Sequence, residues 1–467
     1  MNVLIVSENF LDGGLETQIN STVQSLEGKI NFFFAIKNYN NKWNLKNLYT
    51  GFNFSYFSTI NQFCDDVEKL IAIIKDNNID VIHVHPFFSF FPAVFAAKLC
   101  KKPIIYTYHG ISSYNFTCEL NDTILFNMFL DYEVDKIFSV SLEGKKIFDN
   151  IIFETDKIIY LPNSINTRKF CTTKICENKS WALISRLEED KINEIEKLLK
   201  ILDTLDIQEL HVFGDGSQRL FLEQYISKNN LTNKVFLEGH CDNLPEKLSG
   251  KFNGIIGIGR VVMESISMEF PTILIGFNKI SGLIDTNIYN YIKDKNFTNK
   301  FLPEISPNTL KTQIQQVYNN TYDKNIYKIF KENFSTEVLS EKYYNELKNI
   351  NYSSILNLEK LYNEIKTLNS DDTFYNSSHI YNIFKKYFSF FIRQPHQKNL
   401  FIMGDNLLLQ KDFNNKLNNK FNSDFNNTNN LINNKFTELE NKINEFSEHT
   451  MTYQNFKRKL KYKFNKK

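Results

Sequence analysis

Two basic residues stand close together just after a predicted strand. The segment Ser185-Arg186-Leu187-Glu188-Glu189-Asp190-Lys191 begins where an apolar run ends and continues into a helical pattern. Arg186 offers a planar fork of hydrogen-bond donors and Lys191 offers a compact charge, so together they suit a diphosphate. The alternative is that both are solvated residues paired with the three acids between them.

A second strand ends in glycines and opens a helix that carries one acid. This segment is Gly257-Ile258-Gly259-Arg260-Val261-Val262-Met263-Glu264. The amides of such a loop can hold phosphate oxygens. Glu264 lies about one turn into the helix on an otherwise apolar stretch, where a carboxylate is rarely buried without a partner. A ribose diol is a suitable partner, and a structural salt bridge is the alternative.

A pair of glycines follows the first predicted strand, in the segment Asp12-Gly13-Gly14-Leu15-Glu16-Thr17. These glycines allow the backbone to approach a ligand, and the next helix offers its N–H groups and dipole to an anion. The segment is not GxGxxG, and the second strand ends in Ile36-Lys37 instead of an acid. Both features argue against a nicotinamide or flavin enzyme. An ordinary tight turn is the alternative.

Three histidines stand on or after predicted strands. His109 ends one strand and is followed by Gly110, so it should face a cleft, where it could donate to a sugar hydroxyl or to developing negative charge. A structural role is the alternative. His83 and His85 alternate along another strand and share a face. With no third ligand in register, we expect no metal site.

Two series of short apolar strands, separated by helical patterns, must position these residues. This alternation predicts an α/β fold with parallel sheets. The predicted strands are 3–6, 31–36, 81–85, 103–109, 136–141 and 158–162, then 181–186, 209–214, 234–239, 254–259 and 271–276. The polar stretch 163–180 reads as a linker, and from about 307 the pattern is helical. Two such domains form a cleft, and ligands bind at the carboxyl ends of their strands.

The bulk composition narrows the class of protein. The chain has 55 Lys and Arg against 53 Asp and Glu, a formal charge of +2, which gives no electrostatic reason to expect a nucleic-acid binder. The six cysteines form no CxxC pair, so we expect reduced thiols in a cytoplasmic protein. We see no signal peptide and no apolar run of the roughly 18 residues that a spanning helix needs. Any membrane contact should therefore be peripheral.

Eight motifs, taken together, resemble a known enzyme family. In chain order they are LIVSENFLDGGLET, IDVIHVH, YTYHG, FSVS, IIYLPNSIN, ISRLEEDK, HVFGDGSQ and GRVVMESISMEFPTILIG, all within residues 1–350. The chain resembles the retaining GT-B-fold glycosyltransferases of the glycosyl transferases group 1 family, which includes bacterial polysaccharide and lipopolysaccharide hexosyltransferases. The resemblance implies two Rossmann-like domains that face a cleft, a nucleoside diphosphate sugar as co-substrate, and no metal or other cofactor.

The resemblance also implies boundaries and roles. The acceptor domain would span 1–165, the nucleotide-sugar domain 166–333, a helix crossing back 334–350, and a helical, Asn/Lys-rich extension 351–467. His109, Arg186 and Lys191 would be catalytic, with His109 on the transferred sugar. The acceptor-side candidate is Glu16. The donor-binding residues would be Gly13, Gly14, Arg186, Lys191, Gly257, Gly259, Arg260, Val261, Val262 and Glu264.

One position departs from the family pattern. The family often has two glutamates separated by seven residues, and Glu264 matches the second, but the first falls on Ile256. The first acid usually contacts the transferred sugar, so its loss leaves the donor sugar open. Two further hypotheses stay open: a sugar-nucleotide 2-epimerase of the same architecture, and a non-catalytic nucleotide-sugar-binding scaffold.

The end of the chain differs in composition from the rest. Apolar residues spaced mostly three or four apart between 425 and 446 give a modest coiled-coil signal, typical of an oligomerisation or packing segment. Seven basic residues and no acids lie between 457 and 467, interleaved with aromatic residues, which suits an anionic membrane surface. A loosely ordered tail and a solvated charged end are the respective alternatives.

Overall fold

A computed structural model describes residues 1–11, 13–110, 120–152, 154–171, 176, 178–241, 243–375 and 378–388. The predicted coiled coil over 425–446 and the basic segment 457–467 lie outside these residues. Asp12 of the first glycine motif also lies outside them.

Seven parallel strands form the first sheet, in the order β3-β2-β1-β4-β5-β6-β7. They are β1 (Asn2–Phe10), β2 (Asn31–Tyr39), β3 (Leu48–Tyr49), β4 (Val81–Val84), β5 (Ile104–Tyr108), β6 (Lys136–Ser139) and β7 (Ile158–Tyr160). The central strands β4 and β5 are buried at every residue, as expected for parallel strands covered on both faces. The sequence predicts all of these strands except β3, which has two residues.

Five helices connect these strands. They are α1 (Gly14–Ser25), α2 (Ile60–Asp76), α3 (Phe90–Leu99), α4 (Leu120–Tyr132) and α5 (Leu142–Ile151). Residues 90–98 of α3 are all buried, because this helix is apolar on every side and is enclosed by its neighbours. The sequence does not predict α3, since an all-round apolar helix lacks the one-sided pattern of a surface helix.

Six strands form the second sheet, in the order β10-β9-β8-β11-β12-β13. They are β8 (Ser180–Ile184), β9 (Glu209–Phe213), β10 (Val235–Gly239), β11 (Gly254–Gly257), β12 (Thr272–Gly276) and β13 (Lys279–Leu283). The first five are parallel, and β13 returns antiparallel to β12 through a turn in which Phe277 and Asn278 have positive φ. The sequence does not predict β13. The two parallel-dominated sheets confirm the predicted α/β class.

The helices of the second half begin with α6 (Glu189–Ile201), α7 (Arg219–Lys228), α8 (Leu244–Leu248) and α9 (Arg260–Ser267). After β13 follow α10 (Thr286–Ile292), α11 (Pro307–Tyr318), α12 (Asn325–Phe334) and α13 (Thr336–Lys348). Helix α13 returns to the first sheet, where it contacts α1 and where Tyr343 lies 2.9 Å from Nδ1 of His83.

The last described helices, α14 (Leu358–Lys366) and α15 (Ser378–Phe388), pack against the helices of the first sheet. Phe374 stacks on Phe63 of α2 with ring centroids 3.8 Å apart. Glu133 is fully buried and accepts hydrogen bonds from the amides of Ile355 and Leu356. Both helices belong to the compact unit that holds the two sheets.

None of the described helices combines the length and the apolar character that a membrane crossing requires.

Candidate functional site

The strand order of each sheet reverses once, and the predicted site residues follow the strands at these two points. The reversal lies between β1 and β4 in the first sheet and between β8 and β11 in the second. The carboxyl ends of strands at such a reversal form the crevice in which α/β proteins bind ligands. Gly13 and His85 follow β1 and β4, and Arg186 and Gly259 follow β8 and β11.

Arg186 and Lys191 act on the same carboxylate. Arg186 is exposed in the loop after β8, and Lys191 lies in the first turn of α6, where Nζ is 2.9 Å from Oδ2 of Asp190. The hydrogen bond from Lys191 is the main cause of a lowered pKa of Asp190, and the charge of Arg186 adds to it. Both cations therefore act on Asp190, and Lys191 makes the acidic pairing that the sequence leaves open.

Two glycines outside the predicted site shape the Arg186 loop. Gly214 and Gly216 follow β9, with φ of +138° and +157°. A Cβ on Gly214 would lie 1.8 Å from the carbonyl oxygen of Ser185, and one on Gly216 would lie 2.4 Å from that of Leu187. The amide of Leu187 also donates to the carbonyl oxygen of Asp215 at 3.0 Å. In the sequence, the Gly-Asp-Gly motif at 214–216 is the feature that indicates this close approach to the Arg186 loop.

The glycines after β11 allow α9 to start abruptly. Gly259 precedes α9 with φ +62° and ψ −123°, a conformation that side chains disfavour. The first intrahelical bond runs from Met263 N to Gly259 O, so the amides of Arg260, Val261 and Val262 lie in the turn whose N–H groups have no helical partner. The side chain of Val262 is buried in the core, so only the backbone of this residue could contact a ligand.

Gly257 serves packing. A Cβ at this position would lie 2.4 Å from Cγ1 of Val261 and 3.4 Å from the carbonyl oxygen of Ile184. The glycine thus lets the start of α9 lie close to the end of β8. The loops that carry Arg186 and Gly259 are consequently neighbours.

Glu264 is paired with Arg260 one helical turn away. Nε of Arg260 donates to Oε1 of Glu264 at 2.9 Å, and the two side chains are 20% and 11% exposed. Burial raises the pKa of Glu264, and the charge and hydrogen bond of Arg260 oppose that rise. The buried acid therefore forms a salt bridge with Arg260. Among the described residues, no donor forms a hydrogen bond with Oε2 of Glu264.

The two strand reversals lie against each other at Gly14 and Arg260. A Cβ on Gly14 would lie 3.8 Å from Cδ of Arg260, an ordinary van der Waals distance. A Cβ on Gly13 would lie 2.7 Å from Oε2 of Glu16, whose Oε1 accepts from the amide of Leu11 at 3.3 Å. Glu16 is 9% exposed and bonds to its own turn, so the structure places this acceptor-side candidate in support of the glycine loop.

Half-buried His109 belongs to a histidine cluster with the buried His83 and His85. Its Nε2 lies 2.9 Å from Nδ1 of His85, and the rings of His85 and His83 have centroids 4.3 Å apart. Burial lowers the pKa of His109 to about 4 and that of His83 to about 3. All three side chains line a cavity of about 60 Å³ beside Asn163 and Tyr343. The sequence places His83 and His85 on one face but does not show that His109 bonds to this pair.

Ile256 does not face the cleft. It lies inside β11, is fully buried, and is paired in register with Leu183 and Ile273. A glutamate at this position would lie in the apolar core of the sheet. Ile256 therefore contributes to the apolar core of the second sheet.

No group of three or more His, Cys, Asp or Glu side chains in the described part of the chain is arranged to hold a metal ion. In the histidine cluster, His85 and His109 direct one nitrogen each at the other.

Part of the chain is similar to a known protein family. Residues 13–169 match the family described as Glycosyltransferase Family 4. For this similarity, we call residues 13–169 the family 4 domain. This domain holds the Gly13–Gly14 turn, the histidine cluster and the whole first sheet after β1.

Two curated relatives share part of the chain. The GtfA subunit of the UDP-N-acetylglucosamine–peptide N-acetylglucosaminyltransferase of Streptococcus agalactiae is 26% identical over 204 residues, which are 38% of this chain and 39% of the relative. The 2-deoxystreptamine N-acetyl-D-glucosaminyltransferase of Niallia circulans is 26% identical over 208 residues, or 38% of this chain and 51% of the relative. The chain thus spans about half or less of the length of these relatives.

A solved structure shows the fold that surrounds the family 4 domain. Anabaena HepE, in complex with UDP, superposes with a TM-score of 0.58 at 14% identity, over 75% of this chain and 100% of HepE. The likeness extends over both sheets and confirms the predicted GT-B fold.

Proposed function

We propose that this protein transfers a hexose from a nucleoside diphosphate sugar to a glycan or a lipid-linked acceptor, with retention of anomeric configuration and without a metal ion. The observation that carries the proposal is the strand reversal between β8 and β11, where the Arg186 loop and the start of α9 follow neighbouring strands. Arg186 and Lys191 both act on Asp190 there, α9 begins without a side-chain cap, and Arg260 lies against the Gly13–Gly14 turn. We assign the second half to the donor and the family 4 domain to the acceptor.

The donor diphosphate would occupy the loops after β8 and β11. Its negative charge grows as the bond from phosphate oxygen to the anomeric carbon breaks, and the fixed cations and amides stabilise it more in the transition state than in the ground state. Glu264 has one oxygen on Arg260 and would offer the other to a ribose hydroxyl. His109 would donate to the transferred sugar.

The acceptor hydroxyl completes the reaction. Its oxygen forms the new bond to the anomeric carbon, and its proton passes to the departing phosphate, so the step needs no strong base from the protein. Closure of the cleft around the donor would exclude water, whose attack competes with transfer.

The names of the relatives suggest a first donor to test, and surface-glycan synthesis suggests a class of acceptor. The two curated relatives carry N-acetylglucosaminyltransferase names, and one of these names includes UDP-N-acetylglucosamine, so this donor is tested first. Synthesis of a bacterial surface polysaccharide or lipopolysaccharide, at the inner face of the membrane, would supply lipid-linked acceptors. The aromatic and basic residues 457–467 would then make a peripheral contact with anionic lipid.

A donor panel tests the proposal. Full-length protein is incubated with UDP-, GDP- and ADP-sugars and a cell-lipid extract, and mass spectrometry follows nucleotide release and new glycolipids. We expect one sugar nucleotide to yield free nucleotide and a product heavier by one sugar residue. Conversion of the donor to its 2-epimer without acceptor would replace the proposal by the epimerase hypothesis, and donor binding without turnover would favour the scaffold.

A further inference from the structure

Three histidines and a tyrosine form a chain of side-chain contacts near the carboxyl ends of the central strands β4 and β5. The hydroxyl of Tyr343 lies 2.9 Å from Nδ1 of His83, and Nε2 of His83 lies 2.7 Å from Oγ1 of Thr107. The ring of His85 packs beside that of His83, and its Nδ1 lies 2.9 Å from Nε2 of His109. The chain therefore connects α13 with the histidine that the proposed function places on the transferred sugar.

The three imidazoles are neutral near neutral pH. Burial lowers the pKa of His83 to about 3, that of His109 to about 4, and that of His85 as well. A neutral imidazole has one N–H donor and one acceptor nitrogen. The facing nitrogens of His85 and His109 must therefore share a single proton, which allows two arrangements.

The buried surroundings of His85 distinguish the two arrangements. If His109 donates from Nε2, then His85 must carry its own proton on Nε2. That nitrogen is buried and has no hydrogen-bond partner among the described residues, and the whole residue is 2% exposed. A buried N–H without an acceptor is rarer than an unfilled acceptor, because its desolvation is not compensated. The favoured arrangement has His85 protonated on Nδ1 and donating to His109.

We propose that His85 is a positioning residue that holds His109 in one tautomer. By donating from Nδ1 to Nε2 of His109, it leaves the proton of His109 on Nδ1, which makes that nitrogen a fixed hydrogen-bond donor. The proposal rests on the proposed function, in which His109 donates to the sugar or to developing negative charge. A donor that is already oriented requires no reorganisation during the reaction.

Two amide substitutions separate this role from simple packing. An asparagine amide reaches the place of imidazole Nδ1, whereas a glutamine amide reaches the place of Nε2. His85→Asn therefore keeps a donor to His109 and His85→Gln removes it, although both variants bury one amide. We expect kcat of His85→Asn to stay within about threefold of wild type and kcat of His85→Gln to fall roughly 10- to 100-fold, with KM for the donor unchanged in both.

The tautomer itself is measured without any substrate. Imidazole ¹⁵N chemical shifts of full-length, histidine-labelled protein report which nitrogen is protonated, and the His109→Gln variant identifies the signals of His109. We expect a protonated Nδ1 in wild type and in His85→Asn, and a protonated Nε2 in His85→Gln. A protonated Nε2 in wild type, or the same tautomer in both variants, overturns the proposal.

The kinetic measurement and the tautomer measurement test the proposed transfer and the positioning role separately. If no donor is turned over but the tautomers follow this pattern, the proposed transfer is wrong and the positioning of His109 by His85 stands. If transfer occurs and the two variants have equal kcat, the transfer stands and the positioning role is wrong.

Discussion

Arg260 and Glu264 form an ion pair across one turn of α9, with Nε and Oε1 2.9 Å apart, where Arg260 also lies against Gly14. The pair belongs to the second half of the chain, and Gly14 belongs to the family 4 domain. A ligand that binds Glu264 must therefore bind next to a guanidinium that already faces the opposite loop. This arrangement holds the buried carboxylate in place before any donor arrives.

Lys191→Ala should nearly abolish turnover without unfolding the protein. The substitution removes one of two cations that would stabilise the departing diphosphate, which typically costs roughly 2.7–4 kcal/mol of barrier, or about 100- to 1000-fold in kcat. Initial rates of nucleotide release measure the effect. Lys197→Ala is the matched control, because Lys197 lies on the same helix and pairs with Glu304 at 3.2 Å. Near-normal turnover of Lys191→Ala would remove Lys191 from the site.

Gly214→Ala should displace the Arg186 loop. Its new Cβ would lie 1.8 Å from the carbonyl oxygen of Ser185, so the backbone on one side must shift. We expect weaker donor binding by calorimetry and a lower free energy of unfolding. Gly250→Ala is the control for positive φ alone, because Gly250 has φ +70° and open space around its Cβ position. Equal donor affinity in the two variants would show that Gly214 does not shape the site.

The donor affinity should weaken in mildly acidic solution. Burial raises the pKa of Glu264 above 4.5, so this carboxylate takes up a proton as the pH falls through that raised value. The neutral acid loses its charge interaction with Arg260 and is a poorer acceptor for ribose hydroxyls. Affinity should therefore be full near neutral pH and decline on acidification at a higher pH than an ordinary glutamate would cause.

Calorimetry with a UDP-sugar between about pH 7.5 and about pH 5 tests this dependence. Glu264→Gln should bind more weakly at pH 7.5 and should show a flatter dependence, because its amide does not titrate. A dependence of equal steepness in wild type and Glu264→Gln would assign the titration to another group.

Deletion of residues 396–467 should lower membrane recovery and spare donor hydrolysis. The deleted segment carries seven basic residues between 457 and 467, and each contributes about 1 kcal/mol of attraction near an anionic surface. Co-sedimentation with vesicles that contain anionic lipid measures the loss, and neutral vesicles are the control. Sedimentation that does not change on deletion would refute the membrane contact.

The sequence by itself determined the architecture, and it predicted that ligands bind at the ends of particular strands. Strands, helices and the glycines that separate them are local patterns, since apolar runs and helical periodicity depend on neighbouring residues. For this reason the sequence predicts Arg186 at the end of β8, and Gly257 and Gly259 at the end of β11. The same reasoning did not predict α3, because a fully enclosed helix lacks the polar face that gives an amphipathic pattern.

Only the tertiary structure decided which side chains are partners. His85 meets His109 from another strand 24 residues away, and Arg260 lies against Gly14 from the other half of the chain. It also showed that Ile256 is buried in the core of the second sheet. These outcomes depend on how separate elements pack against each other, and the free energy that selects one partner over another is not encoded in the spacing of residues along one element.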